Sequence, residues 1–474
     1  MDSGNGGTSV GSARRWWTLP VVSAAQLLVV LDGTIVNIAL PSAQAALGIS
    51  DADRQWAITP YALAFGGLLL IGGRVSGALG HRRGFVVGLV GFGVASALGG
   101  LAFSPGMLFG ARALQGVFAA LLAPAGLSLL ASTFTESRER GRAFGVFAGV
   151  GAAGAAVGLI AGGLLTEYAG WRWCFYINVP VVALALAGAV FVPGSGPQAT
   201  GRLDVVGALL STAGFASVVF AFSQAESRGW GSAVELALLA CGVLLLVAFV
   251  VVELRASHPL LPIHVFRDRA RGGAFISITL MFVAMFGFYL FTSYYAQTVL
   301  GWSPVRTGLA LIINAVAALV GSTLIAGKRH APAALIVPGL IAAAAGMFVL
   351  ALLTPESTNV FALYLVPALA LTGLGLGCVM PPTASLATAG IADHEVGAAS
   401  AAYNAAQQIG AALGTALLNS IATSAAASHP DAGSHAASVH GYTTALTFGF
   451  GILAAAALIA APLTASRSRA AVRS

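Results

Sequence analysis

Charge is the scarcest commodity in this chain. Only 8% of its 474 residues are Asp, Glu, Lys or Arg, against about 25% in soluble domains. That shortage excludes a water-soluble globule, and a hydrophobic content of 58% agrees. Cysteine is nearly absent: Cys174, Cys241 and Cys378 stand apart, each in or beside an apolar stretch. Three isolated thiols give neither a disulfide framework nor a zinc pattern. A Gly-rich phosphate loop ending in Lys-Ser/Thr is missing, as are paired acids within an apolar run. No catalytic residue, cofactor or metal is therefore expected. Any work must draw on an ion or substrate gradient.

What the chain does have is one apolar run after another. Windows of about 19 residues place spans near 18–40, 56–76, 84–103, 106–130, 142–166, 173–192, 204–224, 233–253, 273–298, 305–326, 332–353, 359–380, 397–424 and 442–464. Fourteen spans define an all-α membrane protein with both termini on one side. Arg14 and Arg15 precede a first run too long for a signal peptide, so this reads as an uncleaved span. With the N-terminus inside, 18 of the 23 basic residues fall in cytoplasmic segments, Arg138, Arg140, Arg142, Arg267, Arg269 and Arg271 among them. Four lie outside (Arg54, Arg172, Arg228 and Arg306), and Arg112 lies within a span. This is the positive-inside bias of a cytoplasmic-membrane protein. The net charge of +7 is thus a topology signal, and the expected partner is the bilayer, not nucleic acid. The stretch 425–441, with His429, His435 and His440, reads as a solvated outer loop.

Asp32 is the one formal charge in the first run, within LDGTIVNIALP (Leu31–Pro41). A carboxylate at that depth costs on the order of 3 kcal/mol on insertion scales, and such acids usually face a wet cavity or a partner charge. It lies about 21 Å from the inner start of its helix, at about 1.5 Å per residue. Arg112, on a span running the other way, lies about 9 Å below the outer surface. The two charges share a depth, and an Asp32–Arg112 pair follows as a candidate; a structural acid locking helices, or an Arg112 bonded only to carbonyls, are the alternatives. Gln115 and Gly116 fall on the face of Arg112, and Pro124 further along suggests a kink. Asn37 is one of two amide side chains near Asp32 on the first span.

Gly154, Gly158 and Gly162 recur every fourth residue in the fifth span, with Gly163 adjacent. A glycine face lets another helix pack closely or slide. The overlapping Gly149-x-Gly151-x-x-Gly154 follows no strand and is rejected as a dinucleotide site. In the thirteenth span Asn404, Gln407 and Gln408 form an amide patch, suited to hydrogen-bonding substrate or to joining helices. In the ninth, Phe282, Phe286, Tyr289, Tyr294 and Tyr295 could line a wall for a large apolar or cationic ligand, or pack against lipid.

LDGTIVNIALP, the Leu108-x3-Arg112-x2-Gln115-Gly116 pattern, the glycine-rich fifth span and WRWCFYINVP (Trp171–Pro180) together resemble the major facilitator superfamily, and within it the fourteen-span drug:proton antiporters of EmrB/QacA type. YYAQTVLGWSP (Tyr294–Pro304) and GLGLGCVMPP (Gly373–Pro382) are similar to that family's second half. The resemblance implies a cytoplasmic tail 1–17, a six-helix bundle 18–192, two linker spans and a loop over 193–272, a second six-helix bundle 273–464 and a tail 465–474. It implies a monomeric secondary transporter exporting hydrophobic or amphipathic drugs in exchange for protons, with Asp32, Arg112, Gln115 and Asn37 at the coupling site. Lipid or metabolite transport without tight proton coupling, and a non-transporting sensor, are the alternatives.

Two departures from the family pattern stand out. Its gating motif G-x-L-x-D-R-x-G-R-R corresponds to Gly73, Arg74, Gly80, Arg82 and Arg83 here, but Gly77 replaces the aspartate. In the fifth span Leu159 stands where the antiporter motif has proline.

Overall fold

The computed structural model describes residues 15–134, 136–192, 204–228, 231–255, 268–325, 332–388, 396–429 and 433–471. Among them there is no strand. Helices α1 (Thr18–Leu47), α2 (Thr59–Leu79), α3 (His81–Gly100), α4 (Pro105–Thr133), α5 (Ser137–Tyr168) and α6 (Asn178–Ala189) come first. They are followed by α7 (Val205–Arg228) and α8 (Ala233–Arg255), then by α9 (Arg269–Tyr294), α10 (Pro304–Val320), α11 (Pro332–Ala351), α12 (Val366–Thr388), α13 (Val396–Ala427) and α14 (Gly433–Ala471). Among the described residues ten stretches are long and apolar enough to cross a bilayer, and an eleventh is α2, bent by 60° about Leu70. Three shorter apolar helices cover Val157–Tyr168, Trp173–Ala189 and Leu209–Phe222.

Local sequence explains where several of these helices begin and turn. Ser104, Asp268 and Ser303 each accept a hydrogen bond from a backbone N–H of the first turn, of Met107, Arg271 and Arg306 respectively, satisfying a donor with no partner inside the helix. Pro105 and Pro304 follow two of these caps, at the first helical position where proline costs nothing. Gly80 joins α2 to α3 at φ 84°, a conformation a side chain would strain. Wide turns with five-residue spacing close α9 at Tyr295–Val299, extend α10 at Gly321–Ile325 and precede α12 at Phe361–Leu365. All three lie in the second half of the chain.

Helices α1 to α6 pack on one another, α4 touching α2 and α3, and α5 lying along α1. Helices α9 to α14 form a second set, with α14 against α9 and α11. The two sets meet along α2 and α13, and again where α5 meets α10. Helix α7 covers the first of these seams: Thr212 Oγ1 donates to Gly67 O at 3.3 Å, and Val219 is buried with Ala62, Ala411 and Ala412. Helix α8 packs chiefly on α7; it has the highest mean hydropathy of the spans, 2.8, and the lowest burial, 11%. A helix apolar all round with little protein cover is one solvated by lipid.

One expectation changes. The stretch 425–441 is largely helical, because α13 runs to Ala427 and α14 starts at Gly433; its abundant Ala favours continuation of both helices.

Candidate functional site

Five segments converge on Asp32, which is fully buried. From α4, Arg112 Nη1 donates to its Oδ2 at 2.5 Å. Gln115 Nε2, one turn on, donates to Oδ1 at 2.7 Å, and Asn178 Nδ2 at the start of α6 donates to the same oxygen at 2.9 Å. Ser96 of α3 lies behind them, its Oγ accepting from Gln115 at 2.8 Å and from Asn178 at 3.3 Å. Arg112 is itself held on three sides. Its Nε donates to Ala57 O at 3.0 Å, Nη1 also donates to Gln115 Oε1 at 2.8 Å, and its guanidinium carbon lies 4.4 Å from the Tyr61 ring centroid. Tyr61 in turn donates to Val29 O.

A buried ion pair gains only if the remaining donors and lone pairs are satisfied. Here both carboxylate oxygens and both bonded arginine nitrogens are met. Arg stays protonated in proteins, so the cluster holds a fixed positive charge against the carboxylate.

Several of these contacts were not evident from the sequence. Asn178 sits inside WRWCFYINVP without any spacing that ties it to Asp32. Ser96 and Tyr61 are single polar groups in apolar helices, and the Ala57 carbonyl carries no side-chain signal at all.

Asn37, also expected at this site, faces elsewhere. Its Nδ2 bonds back to Gly33 O at 3.3 Å, and its main-chain carbonyl accepts from Ser293 Oγ of α9 at 2.8 Å. It belongs to the seam between the bundles. The aromatic residues of α9 do not share one wall. Phe282 and Phe286 stack at 6.0 Å beside Ala411 and Leu413; Tyr289 donates to Asn314 Oδ1 at 2.7 Å; and Tyr294 donates to Gln44 Oε1 of α1. The amide patch divides similarly. Asn404 is exposed and bonds back to Ser400 O, Gln407 is buried, and Gln408 places its Cβ against Gly66 of α2.

The glycine stripe of α5 lies on the helix that carries Asp32. Gly154 faces Leu27 and Val30, Gly158 faces Thr34 and Leu31 O, and Gly162 faces Ile35 and Ile38. Gly163 points instead across the seam, where a Cβ would sit 2.8 Å from Val305 Cα and 2.9 Å from Pro304 O. Leu159 adds to this contact, its carbonyl 2.5 Å from where a Cβ of Gly308 would be. In the gating-motif stretch, a Cβ at Gly73 of α2 would sit 3.6 Å from Pro124 Cβ, and Arg82 of α3 donates to Ala189 O and Val190 O at 3.1 and 3.3 Å, capping the end of α6. Arg74 is half-buried and Arg83 exposed.

Two helical bundles that pack on each other, the first holding a buried ion pair, with a further helix over their seam, define a polytopic membrane transporter. The sequence model described as Major Facilitator Superfamily matches residues 22–415, and the chain belongs to that family. It is 54% identical to the puromycin resistance protein pur8 of Streptomyces alboniger, over 97% of this chain and 93% of that one. The cephamycin export protein CmcT of Amycolatopsis lactamdurans is 37% identical, over 91% and 90%. The multidrug efflux pump LfrA of Mycolicibacterium smegmatis is 33% identical, over 89% and 83%. Among solved structures, the in meso crystal structure of the POT family transporter PepTSo superposes with a TM-score of 0.69, at 15% identity over 95% of this chain and 98% of that one. At that identity the likeness is one of fold. The protein is a multi-pass membrane transporter and not an enzyme.

Proposed function

We propose that this chain exports hydrophobic or amphipathic antibiotics and drugs across the cytoplasmic membrane in exchange for protons. The observation that carries the proposal is the fully buried Asp32–Arg112 pair within an apolar bundle. The names of the relatives support the cargo class, and puromycin is the first compound to try. Fourteen spans are reached by adding the bent α2 and the three shorter apolar helices to the ten that qualify alone. The positive-inside charge pattern supports both termini in the cytoplasm and residues 48–58 outside.

The work divides between the two charges. Ionised, Asp32 holds Arg112 and the amides of Gln115 and Asn178. A proton removes that charge, so Arg112 keeps only neutral acceptors in a buried site. This state is costly until the helices shift, and the shift is the transport step. Substrate and proton exchange because each favours a different arrangement of the same bundle.

The test is accumulation of labelled puromycin in inverted vesicles with an imposed pH gradient. Accumulation that stops when the gradient is dissipated is expected. Accumulation indifferent to the gradient would exclude the exchange.

A further inference from the structure

The charge count places Arg54 in a loop, yet its side chain is 2% exposed. Its counter-ion from the same bundle, Asp51, lies 3.5 Å away and is 71% exposed. The closer company comes from the other bundle. Arg54 Nε donates to Asn419 Oδ1 of α13 at 2.6 Å. Its guanidinium carbon is 4.4 Å from the ring centroid of Tyr294, 5.5 Å from Tyr442 and 6.0 Å from Phe291. Asn419 completes the lock by donating to Asp51 O at 3.0 Å, and Gln44 Nε2 reaches Asp51 Oδ1 at 2.7 Å. Ser293 and Gln297 of the second half bond to Asn37 O and Ile38 O nearby, and Glu167 accepts from the N–H of Val305.

A cation covered mainly by the opposite bundle has two stable situations. With the bundles closed it lies among aromatic faces and an amide. With them apart it regains water. An arginine held by its own bundle would not distinguish these states.

Arg54 also begins the single turn Arg54–Ala57. The last carbonyl of that turn, Ala57 O, accepts from Arg112 Nε at 3.0 Å. Arg112 therefore grips Asp32 with one nitrogen and the turn with another. The titratable groups around Asp32 are Arg112, Tyr61 and Cys174; those around Arg54 are Asp51, Tyr294 and Tyr442.

We infer that Arg54 is a positioning residue that latches the outer end of the two bundles, and that the turn Arg54–Ala57 carries the charge state of Asp32 to that latch. The words "outer" and "charge state" rest on the function proposed above. When Asp32 is neutral, Arg112 is a dehydrated cation without its counter-ion, and water admitted where the bundles part is the nearest relief. A movement of Arg112 displaces Ala57, and with it the other end of the same turn.

The experiment uses the full-length protein in proteoliposomes, with spin labels at Tyr168→Cys, at the end of α5, and Glu356→Cys, between α11 and α12. Both sites are exposed, and Cys241, the exposed native thiol, is changed to Ser. Arg54→Ala is expected to lengthen the label–label distance, Asn419→Ala to do the same, and Arg54→Lys to fall between them and the parent. Asp32→Asn is expected to lengthen it with Arg54 intact and to add nothing once Arg54 is Ala. Parent-like distances in Asn419→Ala and in a folded Arg54→Ala would overturn the latch. A full, additive effect of Asp32→Asn on top of Arg54→Ala would overturn the transmission through the turn. Export is read separately in vesicles, so parent flux that is indifferent to the pH gradient alongside these distance shifts would refute exchange and leave the latch standing.

Discussion

Asp32 in the first bundle and Asn314 in the second are both buried mid-helix polar side chains, each tied to neighbouring helices. Around Asn314 the partners are neutral. Its Oδ1 accepts from Tyr289 at 2.7 Å, and its Nδ2 donates to Thr372 Oγ1 at 2.8 Å and to Leu369 O at 3.1 Å. Thr372 passes its own hydrogen to Ala368 O. Around Asp32 both carboxylate oxygens are met as well, but two of the groups are ions. A satisfied neutral network fixes a packing arrangement and has one protonation state near neutral pH. A satisfied ionic one can be switched by a single proton. On the exchange proposed above, the first bundle would take the proton and this part of the second would supply mechanical rigidity.

The sharpest way to break that division is Asp32→Asn. The amide can still accept from Gln115 and Asn178, but it leaves Arg112 without a counter-ion. Removing one partner of a buried pair costs about 3–5 kcal/mol, so a lower melting temperature is expected together with loss of proton-driven export. Arg112→Gln added to Asp32→Asn removes the stranded cation, and should recover much of the stability while restoring no transport. If the single variant exported drug down a pH gradient as the parent does, the first bundle would have no special standing.

Arg112 tests the same division from the cation side, with a somewhat smaller expected effect. A lysine keeps the charge but cannot span Asp32, Gln115 and the Ala57 carbonyl while lying on Tyr61. Arg112→Lys is expected to retain part of the export activity and Arg112→Ala almost none, both reaching the membrane in normal amounts. Equal activity in the two variants would mean that charge alone, or nothing at this position, matters.

These predictions began from residues that the sequence exposes well. An acid or an arginine in an apolar run is conspicuous because it violates a composition rule, and helix direction was enough to bring Asp32 and Arg112 to one depth. The glycines of α5 were legible for the same reason, as a period of four in an apolar helix. Asn178, Ser96 and Asn314 were not. An isolated amide or hydroxyl in a span breaks no rule, and its partners lie on helices 19 to 146 positions away in sequence. Arg54 misled outright: by charge count it is a loop arginine, and only packing of the second bundle over that loop buries it. The π-turns that end α9 and extend α10 left no trace in the apolar pattern, since one extra residue per turn does not interrupt it.

Asn314→Leu bears on the neutral side of the comparison. It leaves the Tyr289 hydroxyl without its acceptor, at about 1–3 kcal/mol. A modest fall in melting temperature is expected, measured on purified protein, while the pH dependence of vesicle export stays that of the parent. A changed pH profile would mean that the second bundle also senses protons.

Tyr289→Phe should produce the smallest effect and separates two uses of one ring. It removes a single neutral hydrogen bond to Asn314, worth about 1 kcal/mol, and keeps the aromatic face. If the ring touches substrate, Tyr289→Phe should export with a near-parental KM, whereas Tyr289→Leu should raise KM for aromatic or cationic drugs. If the hydroxyl matters only as a strut for Asn314, both variants should lose similar stability and neither should change KM. Either result leaves Tyr289 in the neutral network. A shift of the pH profile in Tyr289→Phe would not, because no charge lies within this cluster for the lost hydroxyl to have been tuning.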